Sequence, residues 1–189
     1  MDWITSDTHF WHNNILNFPS SKKYRGDLYE TREEMNEAMI KIWNSQVGED
    51  DHVFHLGDFA IVYGKKIPGM TMEILSRLNG RITLLMGNHD HRDTRKVFEE
   101  MGHKVLDYKE LKHDNNKIVM SHYPFGSWNK AHHGSVMLHG HSHGSYRSPG
   151  GRILDVGWCV HGRLLTLNEA YAMAMEKEIY SADHYEEKS

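Results

Sequence analysis

Sixteen histidines stand in a chain of 189 residues, most of them beside glycine or acidic residues where apolar runs stop. No polyhistidine run occurs that would mark a tag. The runs end in a recurrent way. Trp3 to Ser6 is followed by Asp7-Thr8-His9, Val53 to Leu56 by Gly57-Asp58, and Ile82 to Met86 by Gly87-Asn88-His89-Asp90. Ile118 to Ser121 is followed by His122, and Val136 to His139 by Gly140-His141-Ser142-His143. A single Gly-Asp or Asp-x-His is ordinary punctuation after a strand, but five endings that each deliver Asp, Asn or His argue for a site. Three of them share the form apolar run, glycine, polar residue; glycine lets the backbone turn and approach a ligand without a Cβ clash. Carboxylate, imidazole and one carboxamide together suit a borderline divalent ion, Mn, Fe, Co, Ni or Zn, better than calcium.

The apolar runs themselves have strand length and are bounded by turn residues, which predicts strands over 2–6, 52–56, 81–86, 117–121, 135–139 and 152–156. Between them lie helical patterns. Thr31 and Glu34 stand at capping-box spacing, with Met35, Met39, Ile42 and Trp43 on one face and Gly48 at the end. Further helices are expected over 71–78, 93–101 and 168–180, whereas 17–29 and 123–134 read as loops. Strands alternating with helices indicate an α/β sheet, at least partly parallel early in the chain, and in such sheets ligands sit outside the carboxyl ends of the strands. The five polar endings would therefore converge. Residues 1–180 read as one domain and 181–189 as a charged tail.

Composition narrows the function. With 22 basic and 26 acidic residues the formal charge is −4, so no broad cationic surface for tracking nucleic acid is expected, and any phosphate-binding charge must be local. Cys159 stands alone, which rules out an intramolecular disulfide and fits a reducing, cytoplasmic setting. The start, Met1 to His9, is too short and polar for a signal peptide, and no apolar run has membrane-spanning length.

The ordered set Asp7-x-His9, Gly57-Asp58, Gly87-Asn88-His89-Asp90, His122 and Gly140-His141-Ser142-His143 resembles the five signature blocks of the calcineurin-like metallophosphoesterases. Residues 6–15, 121–135 and 154–170 further resemble a compact bacterial and phage subgroup of that family. The resemblance implies an α/β sandwich of mixed sheets flanked by helices, and a dinuclear metal centre. Asp7, His9, Asp58 and His143 would hold one ion. Asp58, Asn88, His122 and His141 would hold the other, with Asp58 as the bridge. Residues i and i+2 of extended backbone point the same way, so His141 and His143 could address two ions about 3.5–4 Å apart. His139, one step earlier, reads as a packed residue and not a ligand. The resemblance makes His89 the residue that protonates the leaving group or steadies the transition state. Asp90 is then either the carboxylate that orients His89 or a helix-starting turn residue.

Two divalent ions against two carboxylates leave a net positive centre that attracts a phosphate ester without any basic surface. The function expected is metal-dependent phosphoester hydrolysis, a diester being favoured because no cluster of arginines is evident for a monoester dianion. The partner would be a small phosphoester or nucleotide, with nucleic-acid ends also admitted. Alternatives are a phosphomonoesterase, a nuclease acting on such ends, and a non-catalytic metal-binding scaffold of the same fold. Lys22, Lys23 and Arg25 either clamp a phosphate or form a solvated surface run. Among loop residues next to the blocks, which include Tyr123, Trp128 and His132, His12 and His133 are the candidates for contacting substrate. Nothing in the sequence speaks to the oligomeric state or the native metals.

Overall fold

The computed structural model describes residues 1–180; the expected tail, 181–189, lies outside the described residues. The chain runs β1 (Asp2–Thr5), α1 (Arg32–Gln46), β2 (His52–His55), α2 (Ile67–Leu75), β3 (Arg81–Leu85), α3 (Arg92–Glu100) and β4 (Lys104–Leu106). It continues through β5 (Lys109–His113), β6 (Asn116–Met120), β7 (Val136–His139), β8 (Ile153–Asp155), α4 (Trp158–His161), β9 (Leu165–Thr166) and α5 (Leu167–Met175). Two mixed sheets result. The first has the order β4-β3-β2-β1-β9, parallel except for β9. The second has the order β5-β6-β7-β8, parallel except for β5.

Strand alternation makes three apolar layers from these two sheets. Ile4, Phe54 and Leu85 of the first sheet pack with Ile118, Met120, Val136, Leu138 and Leu154 of the second. The opposite face of the first sheet, through Val53, Ile82 and Leu84, packs on Met35, Met39 and Trp43 of α1, Ile74 and Leu75 of α2, and Val97 and Phe98 of α3. Val119, Met137 and Ile153 on the outer face of the second sheet are covered by Trp128 and Ala131. Because both sheets carry parallel strands through this sandwich, the carboxyl ends of β1, β2, β3, β6 and β7 gather along one edge.

Local signals hold where they are strong. Thr31 Oγ1 accepts the Glu34 amide at 3.1 Å, while Glu34 reaches back to the amide of Glu30, one residue before the cap. The elements that escaped the sequence reading are β4, β5, β9 and α4, each short or without contrast between its faces; β5, Lys-Glu-Leu-Lys-His, is half-buried almost throughout. The second helix begins at Ile67, four residues before the expected start, with Pro68 in its first turn where the missing N–H costs nothing. The last helix stops at Met175 and not near Tyr180; Lys177 beyond it turns to the carbonyl of Ile153. Among the described residues no helix is long and apolar enough to cross a membrane.

At Gly87 the loop after β3 passes close to the loop after β2. A Cβ there would collide with Asp58 Oδ1 and lie 2.5 Å from the backbone nitrogen of Asp58. Gly87→Ala should therefore lower stability by about 1–3 kcal/mol, the usual cost of overpacking. Gly69→Ala, in the first turn of α2 with nothing within 4 Å of the added methyl, should raise it by up to about 1 kcal/mol. Thermal denaturation of both variants tests the contrast.

Candidate metal centre

Beyond the strand ends, the loops after β1 and β2 stay zipped together. Asp7 N donates to Gly57 O, His9 N to Asp58 O, and Phe10 N to Phe59 O, at 2.9–3.0 Å. The zipped backbone is not extended. Asp7, His9 and Asp58 have φ of 54°, 48° and 56°, and His141 and His143 have 67° and 47°. Each non-glycine residue in this left-handed region costs roughly 1–2 kcal/mol, so the loops hold these shapes only because their surroundings impose them. This corrects the reading of His141 and His143 as an extended pair. The strand ends at His139, and the two left-handed residues in the following turn send the two imidazoles to different neighbours.

Those neighbours form two clusters. Asp7, His9 and His143 each offer an atom within 4.8 Å of the others, and so do Asp58, His122 and His141. In the first, His9 Nε2 lies 3.3 Å from His143 Nε2 and 3.7 Å from Asp7 Oδ1. His143 Nε2 lies 3.8 Å from Asp7 Oδ1. In the second, His122 Nε2 lies 3.5 Å from Asp58 Oδ2 and 3.0 Å from Asn88 Oδ1. Donors around an ion bound at about 2.1 Å sit roughly 3.4 Å apart, which is the scale of both clusters. The hydrogen-bond bookkeeping asks for a cation as well. His122 Nδ1 faces the carbonyl of Leu56 at 2.8 Å and so carries a proton. That leaves Nε2 turned toward two oxygens, Asn88 Oδ1 and Asp58 Oδ2, with which it can close on one cation.

Burial sharpens that demand. Asp7 is fully buried and Asp58 is 2% exposed. Burial opposes the charge of Asp7, yet the facing His9 holds its carboxyl well below the usual carboxylate range. Asp58 is pushed up to about 6, chiefly by burial, with the charge of Asp7 adding to the effect. His9 is pushed down to about 3, and His143 is lowered too, again chiefly by burial. Both imidazoles are thus kept in the neutral form that binds metal.

Several props were not assigned correctly from sequence. Asp90 does not orient His89; its carboxylate accepts the amides of Asp58, Phe59 and Gly87 at 2.8–3.0 Å and pins the loop after β2 to the loop after β3. Burial pushes its carboxyl up to about 6. Arg25 is neither a phosphate clamp nor a solvated surface residue. It is fully buried beneath the first loop, donating to the carbonyls of Asp7 at 2.5 Å and Thr8 at 2.8 Å, with Met35 and Met39 sulfurs around it. Thr8 Oγ1 joins His55 Nε2 and the Phe59 carbonyl. Cys159 Sγ lies 3.0 Å from His143 Nδ1. Asp155 binds the amides of Gly144 and Gly157 and the Ser142 hydroxyl, each at 2.8 Å. It follows the run Ile153-Leu154 in the same way as the five endings, which was the signal available for it.

The remaining candidates divide. His89 is exposed at the rim, its ring centroid 5.7 Å from that of His9, and its amide donates to Asp58 Oδ1. His12 is also brought to the site, 5.4 Å from His9 between ring centroids. Tyr123 stands 4.7 Å from the His141 ring. His133 is not brought there: it precedes β7 and lines a cavity with Lys112, Asn116, Lys117 and Lys130 at the opposite end of the second sheet. Trp128 packs its own loop and donates to Ser135 O. His139 is 2% exposed and faces the carbonyl of Gly140 through Nδ1. Lys22 pairs loosely with Asp27 on the surface, and Lys23 lies over Tyr24.

A two-sheet sandwich with Asp, His and Asn converging from five strand ends defines a class, and comparison places the chain in it. The calcineurin-like phosphoesterase family matches residues 3–141, and the chain belongs to that family of phosphoester hydrolases, which use divalent metals. It is 32% identical over 144 residues to an uncharacterized protein of Methanocaldococcus jannaschii, covering 76% of this chain and 70% of that one. To the gene 66 protein of Mycobacterium phage L5 it is 28% identical, covering 89% and 91%. The crystal structure of a protein of unknown function from Aquifex aeolicus shares the fold, with a TM-score of 0.66 at 22% identity over 92% of this chain and 98% of that one.

Arg25→Met keeps apolar bulk but leaves the carbonyls of Asp7 and Thr8 without their buried donors. Removing a buried charge offsets part of that loss, so the melting temperature should fall only by a few degrees, whereas Mn2+ affinity measured by calorimetry should fall at least about tenfold as the left-handed loop relaxes. Unchanged Mn2+ affinity would show that Arg25 has no part in shaping the loop.

Proposed function

We infer that residues 1–180 form one metallophosphoesterase domain that hydrolyses phosphoesters at a dinuclear centre, with a phosphodiester as the preferred substrate. Asp7, His9, Asp58 and His143 hold one ion, and Asp58, Asn88, His122 and His141 the other. The observation that carries this reading is Asp58 Oδ2, 3.7 Å from His9 Nε2 in one cluster and 3.5 Å from His122 Nε2 in the other. A carboxylate oxygen between two sets of imidazoles is in the position a bridging ligand needs. Divalent ions bound there would activate water, orient the phosphoryl oxygens and offset charge on the departing oxygen.

The chain's own groups supply the rest. His89, exposed at the rim, is the proton donor to the leaving oxygen, and His12 and Tyr123 meet the remainder of the substrate. Asp90 keeps His89 in place indirectly, by fixing the loop that carries it. Diester preference is supported by the fate of the basic run: Arg25 is committed to backbone carbonyls, and Lys22 and Lys23 are surface residues paired elsewhere. None of the three is available to match the second charge of a monoester.

If Asp58 bridges, Asp58→Asn should lower bound metal and activity together, whereas His139→Asn should leave metal content nearly unchanged; elemental analysis decides, and two ions per chain in the Asp58 variant would refute the bridge. Substrate charge is tested separately. With the same metal and pH, kcat/KM for methyl nitrophenyl phosphate should exceed that for nitrophenyl phosphate, since both release the same nitrophenolate. A better monoester would overturn the diester reading and point to Lys65, which lines the cavity beside His89.

A further inference from the structure

A cavity of about 670 Å3 opens beside His89, on the side away from the second sheet. Asn88 and His89 form one wall, and Val62, Tyr63, Ile67 and Pro68, from the end of the loop after β2 and the start of α2, form the facing wall. Its size falls within the range of about 300–1,000 Å3 typical of small-molecule sites, far more than an expelled water or methanol needs. The facing wall presents the apolar side chains of Val62, Ile67 and Pro68 and the ring of Tyr63, with Gly64 and Lys65 between them. Tyr63 is 78% exposed, and among the described residues its ring stacks on no other aromatic ring. An aromatic side chain held out at the mouth of an apolar cavity offers an unoccupied stacking face.

We propose that this cavity is the leaving-group subsite, and that it selects phosphodiesters whose departing alcohol carries a planar aromatic ring, as a nucleoside does. The assignment rests on the proposed hydrolysis, because it takes the direction of the substrate from the role of His89. The oxygen that receives a proton from His89 must lie against that ring, so whatever that oxygen is bonded to continues away from the two clusters. His89 and Asn88 line both the clusters' rim and this cavity, which makes the path continuous. Val62, Ile67 and Pro68 then remove apolar surface from water, and Tyr63 stacks on the ring. Stacking requires only a π-face, so the subsite distinguishes aromatic from aliphatic leaving groups and does not read the identity of a base.

The test compares two diesters that share a methyl group and differ in what leaves: methyl phenyl phosphate and methyl trifluoroethyl phosphate, with Mn2+-loaded protein. Tyr63→Ala should lower kcat/KM about five- to tenfold for the phenyl ester and less than about twofold for the trifluoroethyl ester, and Tyr63→Phe should restore the phenyl ester. As a surface substitution, Tyr63→Ala carries little risk of unfolding the chain. Binding of methyl benzylphosphonate and methyl propylphosphonate, in which a P–C bond replaces the scissile P–O bond, followed by calorimetry, gives a readout independent of that bond's cleavage and should show the same contrast. Equal losses on both esters, or no loss on either, would overturn the subsite while leaving the hydrolysis reading intact. Conversely, Tyr63-dependent binding of the benzylphosphonate with neither ester hydrolysed would support an aromatic subsite and refute the hydrolysis on which it was built.

Discussion

Two carboxylates, Asp7 and Asp58, are buried close enough that the charge of one raises the proton affinity of the other. A protein does not bring such groups together out of water without compensation, because each ion loses hydration that the interior does not return. Here the surroundings compensate in part. His141 N donates to both oxygens of Asp7, and His89 N to Asp58. What these bonds leave uncompensated is a negative, imidazole-lined crevice whose remaining lone pairs converge, and a cation is the partner that resolves it.

Holding this arrangement requires backbone shapes that the chain would not adopt alone. Five of the converging side chains sit on left-handed residues, and the strain is distributed over supports that are themselves buried. Arg25 braces the carbonyls of the first loop, Asp90 joins the second to the third, and Asp155 fixes the turn that carries His141 and His143. These supports connect loops that leave different strands of both sheets. The site is consequently coupled to the packing of the sandwich, and a change far from any ligand, such as one beneath Arg25, is felt at the metal-binding atoms.

The same construction explains how a chain of net charge −4 can favour an anionic substrate. Positive potential arises where ions bind and nowhere broad, and the basic side chains nearest in sequence are engaged with the fold or with solvent. On the proposed function, selectivity would be left to loop surfaces around the centre: His12 and Tyr123 on one side, and the wall facing His89 on the other. Loops carry such functions readily because they change without disturbing the sheets that hold the ligands.

Much of this was legible in the sequence. Apolar runs located six strands and an α/β sheet, and their polar endings marked candidate ligands, because strand periodicity and strand ends are local properties of the chain; the sandwich of mixed sheets and the choice of Asp7, His9, Asp58, Asn88, His122, His141 and His143 among those endings came from the resemblance to the calcineurin-like family. Helix caps such as Thr31 were readable for the same reason. Which side chains face one another was not legible in any local pattern, and the expected grouping rested on the family resemblance alone, since His9 and His143 are 134 residues apart and meet only through the order of the strands. The roles of Arg25 and Asp90 were misjudged because a charge next to a motif looks alike in sequence whether it points to solvent, to substrate or to a backbone carbonyl. His133 was misjudged for another reason: it stands just before β7, at the amino end of that strand, whereas the site gathers at the carboxyl ends. The residue types at the strand ends determined the chemistry available to this protein. Only the tertiary structure decided the left-handed turns that separate His141 from His143, the buried supports beneath the loops, and the cavity beside His89, because those depend on contacts between segments that no local pattern encodes.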